Sequence, residues 1–365
     1  MKKLVAILLV LVLVLSFAAC APKADAPADK PADAPADAPA DAPADAPADE
    51  PADEPAEQKF VGISFPSTLV DRWPAEAEYL KSGLEALGYK AEIQYADEDA
   101  NKQYSQCDNF ISQGVDLIVV CAVDTVTAAQ IVETAHAEDV AVFSYCRLLE
   151  NCEPDGFVGE DNAAVGKLQG GYIAENVASG NIIVVGGSPA DSNGLLYHEK
   201  GVEAIQAKVD DGSYVIVADQ FCDAWDPAIA LANVENALTQ CGNDVAAVLC
   251  PNDGLAGGAV EALTAQGLAG KVVVTGGDGE LAAAKRIVAG TQSMTIFKDS
   301  KLIAGAGVEA IDAFLKGETP AYNGVLDNGT AEINAVLVDM IVVTKDNIKE
   351  IFVDGGVFTA EEIGL

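Results

Sequence analysis

Histidine and basic charge are what this 365-residue chain has least of. His136 and His198 are its only histidines, and neither falls in a Cys, Asp or Glu set with metal-ligand spacing. That excludes a zinc enzyme and a Ser-His-Asp hydrolase, both of which need imidazole at defined positions. No catalytic residue, metal or cofactor is expected. Lysine and arginine number 21 against 57 acidic residues, for a formal charge of -36. A surface that acidic repels phosphate backbones, so nucleic acid is excluded as a partner. None of the eight cysteines forms a Cys-x-x-Cys pair, and with Cys20 set aside the remaining seven cannot all be bridged. Tryptophan is confined to Trp73 and Trp225. The apolar run at the N-terminus, Leu4 to Leu15, is twelve residues long. About 20 are needed to span a bilayer as a helix.

What is present at that end reads as an address. Lys2 and Lys3 precede the apolar run, and Ser16-Phe17-Ala18-Ala19 follow it, just before Cys20. Residues 1–19 are therefore expected to be a secretory signal. Ala-Ala-Cys resembles a lipobox, which implies that Cys20 carries a lipid and anchors the chain to the extracytoplasmic face of the membrane. Residues 20–57 repeat Ala-Pro-Ala-Asp, with Asp at 25, 29, 33 and every fourth position to 53. Proline at that spacing forbids helix, and the carboxylates repel one another. An extended stalk with a reach on the order of 100 Å is expected, at about 3.1 Å per residue.

From Lys59 the composition changes to alternating apolar runs and amphipathic stretches. Strands are expected at 60–65, 91–95, 116–121, 140–145 and 157–160, with helices between them at 74–87, 101–113 and 125–137, and the next at 162–178. A second series places strands at 181–186, 214–219, 245–250, 271–275 and 294–297, with helices at 193–208, 227–240, 255–266 and 280–288. A long helix at 302–316 and short β runs at 331–337 and 339–343 close the chain. Strands alternating with helices mean parallel sheets, and two such series mean two similar α/β lobes.

Ligands of open α/β sheets sit at the carboxyl ends of the strands. Those ends carry Arg72 and Trp73, Cys146 and Arg147, Asp191 and Asn193, Trp225, Asn252, Asp278 and Lys298. Several have purely local explanations: Asp226 before Pro227 is a good helix cap, and Asp191 and Asp253 could cap too. Gly276, Gly277 and Gly279 lack the full dinucleotide fingerprint. As a set, the carboxylates, amides and cations match hydroxyl pairs, and indole rings suit the C–H face of a sugar.

The chain resembles the periplasmic monosaccharide-binding proteins of ABC transporters, of the xylose-binding and aldose-binding, multiple-sugar kind. The resemblance runs from about Lys59 to Leu365. It rests on Arg72-Trp73, Gly186-Gly187-Ser188-Pro189 with Asp191 and Asn193, Trp225-Asp226-Pro227, Asn252-Asp253-Gly254, and Phe297-Lys298-Asp299. It implies a type I periplasmic binding protein: two Rossmann-like lobes with parallel sheets joined by a three-strand hinge. The lobes would comprise 58–162 plus about 298–330, and 163–297 plus about 331–365. It further implies a monomer that closes on one aldopentose or aldohexose and delivers it to the permease subunits of an ABC importer. A sensor of the same fold, presenting sugar to a kinase or chemoreceptor, is the competing reading. Carried over by position, the ligand contacts would be Arg72, Trp73, Cys146, Arg147, Asp191, Asn193, Trp225, Asn252, Asp278 and Lys298.

The chain departs from that pattern at two places. Cys146 stands where the family has Asp, and Gly277 where it has Gln. A thiol is a weak hydrogen-bonding group, so Cys146 is the place where ligand preference is expected to diverge. Cys121 and Cys250 are expected to be buried as small hydrophobes. Cys146 and Cys152 are close enough in sequence to bridge.

Overall fold

The computed structural model describes residues 58–365. The expected signal sequence, lipidated Cys20 and stalk lie outside the described residues. The first series runs β1 (Phe60–Phe65), α1 (Arg72–Ala86), β2 (Lys90–Tyr95), α2 (Ala100–Ser112), β3 (Leu117–Val120), α3 (Ala129–Ala137), β4 (Ala141–Tyr145) and β5 (Gly156–Glu160). All residues of β1, β3 and β5 are buried, as central parallel strands covered on both faces require. The second series is α4 (Asn162–Asn176), β6 (Gly180–Gly186), α5 (Ser192–Asp210), β7 (Tyr214–Phe221), α6 (Pro227–Gln240), β8 (Ala247–Leu249), α7 (Asp253–Ala265), β9 (Val273–Val274), α8 (Leu281–Ala289) and β10 (Met294–Phe297). The chain ends with α9 (Ser300–Leu315), β11 (Gly324–Asp327), β12 (Glu332–Val338), β13 (Ile341–Thr344) and α10 (Ala360–Ile363).

The first sheet has strand order β11-β12-β5-β4-β3-β1-β2, all parallel except β11. The second has order β7-β6-β8-β9, all parallel. Antiparallel β10 and β13 continue it through a parallel bridge between Asp278 and Phe297. Helix α4 packs on α5, whereas α9 packs on α1, β5 and β12. The chain therefore passes from one sheet to the other three times, after β5, after β10 and between β12 and β13. This is the expected two-lobed architecture.

One lobe boundary is corrected. The run at 331–337, expected in the second lobe, forms β12 and pairs in register with β5 of the first sheet. The chain changes lobes only after Val338. A strand's apolar pattern specifies its buried face but not the sheet edge it joins, which is why the sequence misplaced it. Short β11, which hairpins onto β12, was not anticipated at all. The seven cysteines among the described residues are all free, so the considered Cys146–Cys152 bridge is not formed. Cys121 and Cys250 are fully buried, as expected.

Helix starts follow the side chains available. Asp99, Asp161, Asp191, Asp226, Asn252 and Asp299 each accept a backbone N–H of the first turn. Helix contacts are as specific. A Cβ at Gly170 of α4 would stand 2.2 Å from the carbonyl oxygen of Gly201 in α5, so the two backbones touch there. Next to it, Gly171 faces open space. The prediction is a contrast between neighbours. Gly170→Ala should destabilise by about 1–3 kcal/mol through overpacking, while Gly171→Ala should be neutral or stabilising by up to about 1 kcal/mol. Urea unfolding midpoints of the two variants check this.

Candidate ligand-binding site

Eight of the ten expected residues line one cavity between the sheets: Trp73, Arg147, Asp191, Asn193, Trp225, Asn252, Asp278 and Lys298. The space among them, open solvent included, is about 300 Å³. Val70, Glu160 and Tyr197 complete the wall. Every side chain comes from the carboxyl end of a strand or the first turns of the helix that follows, the region where open α/β sheets bind ligands.

Two buried ionic groups hold the cavity together across the lobes. In the first, Arg147 Nε lies 2.7 Å from Asp191 Oδ2, and Arg147 Nη1 donates to the Ala122 carbonyl at 2.5 Å. Asp191 is committed at both oxygens: Oδ1 accepts from the Asn193 backbone N–H, and Oδ2 also accepts from Trp225 Nε1 at 2.9 Å. Burial raises the pKa of Asp191, and Arg147 opposes that rise. Asn193 Nδ2 donates to the carbonyl of Cys146 at 2.8 Å, tying the start of α5 to the end of β4.

In the second group, Lys298 Nζ lies 2.9 Å from Asp278 Oδ1 and 3.3 Å from Glu160 Oε1, and donates to the Tyr197 hydroxyl at 3.2 Å. Arg72 Nη1 reaches the same Glu160 oxygen at 3.1 Å, and Arg72 Nε pairs with Glu76 at 2.9 Å. Burial works against ionising Glu160, but Arg72 and Lys298 outweigh it and hold its pKa down to about 2. For Glu76 the balance reverses. Full burial dominates over Arg72 and, with Glu160 nearby, pushes it up to about 7.

The tryptophans are held on both faces or edges. Arg72 Cζ and Arg147 Cζ lie 4.6 and 5.5 Å from the Trp73 ring centroid. Trp225 meets Tyr197 edge to face and packs over Gly187, where a Cβ would fall 2.3 Å from the indole. Ala224 and Trp225 both have left-handed φ, 54° and 57°. That costs a non-glycine residue of order 1 kcal/mol and aims the ring inward. Trp73 Nε1 and Glu160 Oε2 are buried without a hydrogen-bond partner.

Two expected contacts stand back from the cavity. Arg72 lies behind it, spending its guanidinium on Glu76, Glu160 and the thiol of Cys146, 3.0 Å from Nη2. Cys146, expected at the ligand, turns its Sγ to Arg72 and Glu76 and is fully buried. Its left-handed φ of 56° swings the side chain off the strand direction, and only its carbonyl meets the other lobe. Gly277 is closely packed by backbone. A Cβ at Gly277 would sit 2.8 Å from the Pro251 carbonyl, while the amide of Gln169 donates to Pro251 and Gly276 carbonyls there.

Sequence reasoning missed Glu160 and Tyr197. Glu160 ends a buried strand and is itself 1 % exposed. A carboxylate closing an otherwise apolar run was the available signal. Asp253, weighed as a cap, instead accepts from the Gly279 and Glu280 N–H groups, Thr295 Oγ1 and Gln292 Nε2, and so braces the loop carrying Asp278. Among the described residues no group of His, Cys, Asp and Glu is arranged to hold a metal ion.

The periplasmic binding protein domain family matches residues 61–319. The D-xylose-binding periplasmic protein of Escherichia coli is 35% identical over 303 residues, covering 83% of this chain and 92% of that protein. The multiple sugar-binding periplasmic receptor ChvE of Rhizobium radiobacter is 32% identical over 324 residues, covering 83% and 92%. An ABC transporter solute binding protein from Clostridium phytofermentans with bound β-D-glucose superposes with a TM-score of 0.78 at 28% identity, covering 84% of this chain and 100% of that one.

The Glu76 geometry sets a pH dependence. Its folded pKa of about 7 exceeds the ordinary 4.5, so the native state holds a proton that the unfolded state has released between those values. Stability should therefore fall as pH rises from about 4.5 to 7, by on the order of 3 kcal/mol from this group. Glu76→Gln, neutral throughout, should flatten that slope in unfolding midpoints measured at pH 5 and pH 8.

Proposed function

The chain belongs to the periplasmic binding protein family, whose members bind solutes and are not enzymes, and from that premise we propose that it captures a neutral monosaccharide and delivers it to an ABC importer. The sugar is an aldopentose or aldohexose of the xylose kind. The observation that carries this reading is the cavity wall itself. Trp73, Arg147 and Glu160 from the first lobe face Asp191, Asn193, Trp225, Asn252 and Asp278 from the second, with Lys298 on the crossing segment after β10. Indole faces and hydrogen-bonding groups of both signs are what a ring with an apolar face and a hydroxyl edge requires. With Glu76 protonated below about pH 7, Arg72, Arg147 and Lys298 balance Glu160, Asp191 and Asp278. That parity favours an uncharged ligand over a sugar phosphate or a uronic acid.

Capture works by closure. An open form admits the sugar, the sugar bridges groups of both lobes, and the closed outer surface is what the permease recognises. The three crossings between the sheets are the places where the backbone bends. Cys20, after its secretory run, carries the lipid that holds the monomer at the extracytoplasmic face of the membrane, with 21–57 as its tether.

Thermal unfolding of the full chain against a panel of aldopentoses, aldohexoses, their phosphates and uronic acids tests the proposal. A sugar at a hundred times its Kd should stabilise by about 2.7 kcal/mol, and the charged analogues should not. No shift with any neutral aldose would overturn the reading. Arg147→Lys keeps the charge but loses the planar fork that engages Asp191 and Ala122. It should weaken sugar binding about tenfold to a hundredfold in calorimetric titration.

A further inference from the structure

We propose that Glu160 is the residue that sets ligand preference, taking the sugar-facing role of the carboxylate missing at position 146. The inference rests on the reading of this cavity as a monosaccharide site.

Glu160 ends β5, at the first crossing between lobes, and its side chain is in the cavity wall. Its two oxygens are not equivalent. Oε1 is shared by Arg72 Nη1 at 3.1 Å and Lys298 Nζ at 3.3 Å. Oε2 is buried and accepts from nothing among the described residues. A buried carboxylate oxygen without a donor carries the full desolvation penalty, and native structures rarely leave one so. Asp191, across the cavity, has both oxygens engaged by protein groups. Glu160 Oε2 therefore marks an acceptor that the protein itself does not satisfy.

The two cations beside it keep the group ionised, so it can only accept. A hydroxyl of the ligand satisfies it. A fluorine at the same carbon cannot donate, and it sets negative charge density against the carboxylate. Cys146 explains why the acceptor is here. The thiol faces Arg72 and Glu76 rather than the cavity, so β4 offers the ligand no carboxylate. The neighbouring strand β5 supplies one instead, on the same guanidinium. The hydroxyl recognised by charge at this wall is thus approached from a different strand. The ligand is a neutral aldose with a free hydroxyl directed at the end of β5, and preference among epimers is governed at residue 160 rather than 146.

Calorimetric titration of the full chain with its best aldose and that sugar's set of monofluoro analogues tests this. In the wild type one fluoro position should cost about tenfold to a hundredfold in affinity. In Glu160→Gln, whose amide donates, the penalty at that one position should collapse while the others hold. Glu160→Asp keeps the charge near Arg72 and Lys298 but withdraws the acceptor. It should lose about tenfold and flatten the fluoro penalty at the same position, a ratio taken within one variant that separates binding from folding whatever the unfolding midpoint. Equal affinities and an unchanged fluoro profile in variants and wild type would overturn the proposal alone. A wild type that binds no aldose would overturn the monosaccharide reading and this inference with it.

Discussion

Five ionisable side chains kept dry at the centre of the molecule are the constraint on which the rest depends. Arg72, Glu76, Glu160, Asp278 and Lys298 are each less than 10 % exposed. Removing any one ion from water costs several kcal/mol, which only close pairing offsets. The pairs are therefore obligatory, and they dictate where the chain must run. Glu160 is the last residue before the first crossing and Lys298 the first after β10, so their contact pins two of the three interlobe passages together. Arg72, at the start of α1, binds that junction to the first lobe, and Asp278 binds it to the second.

The same economy appears in residues that serve twice. Asp191 caps α5 and also receives Arg147 and Trp225, so the helix start and the cavity wall are positioned by one carboxylate. Asn252 caps α7 while facing the cavity. The choice posed in the sequence between cap and ligand contact was a false alternative for Asp191. A helix that begins at the carboxyl end of a parallel strand puts its cap where ligands bind.

The two departures from the family pattern have opposite characters. At Gly277 a side chain is sterically refused, and Gln169 of α4 occupies the neighbourhood with its amide. At Cys146 a side chain is present but turned away by a left-handed backbone. Gln169 bonds the backbone beside Gly277, and the Cys146 thiol faces the charge network rather than the sugar wall.

The α/β class, the two lobes, nearly every strand and helix, and eight of the eleven residues that line the cavity were legible in the sequence alone. These follow from periodicity, caps and strand-end position, which are local properties, and from motifs such as Trp225-Asp226-Pro227 whose spacing survives in the chain. Tertiary structure alone decided the rest. It placed β12 in the first sheet, because edge pairing depends on partners far along the chain. It turned Cys146 inward and brought Glu160 and Tyr197 to the wall, because side-chain direction at a strand end depends on a backbone angle and on which charges wait nearby. Where buried ions must find each other across 88 residues, as Arg72 and Glu160 do, no window of sequence contains both the charge and the reason for it.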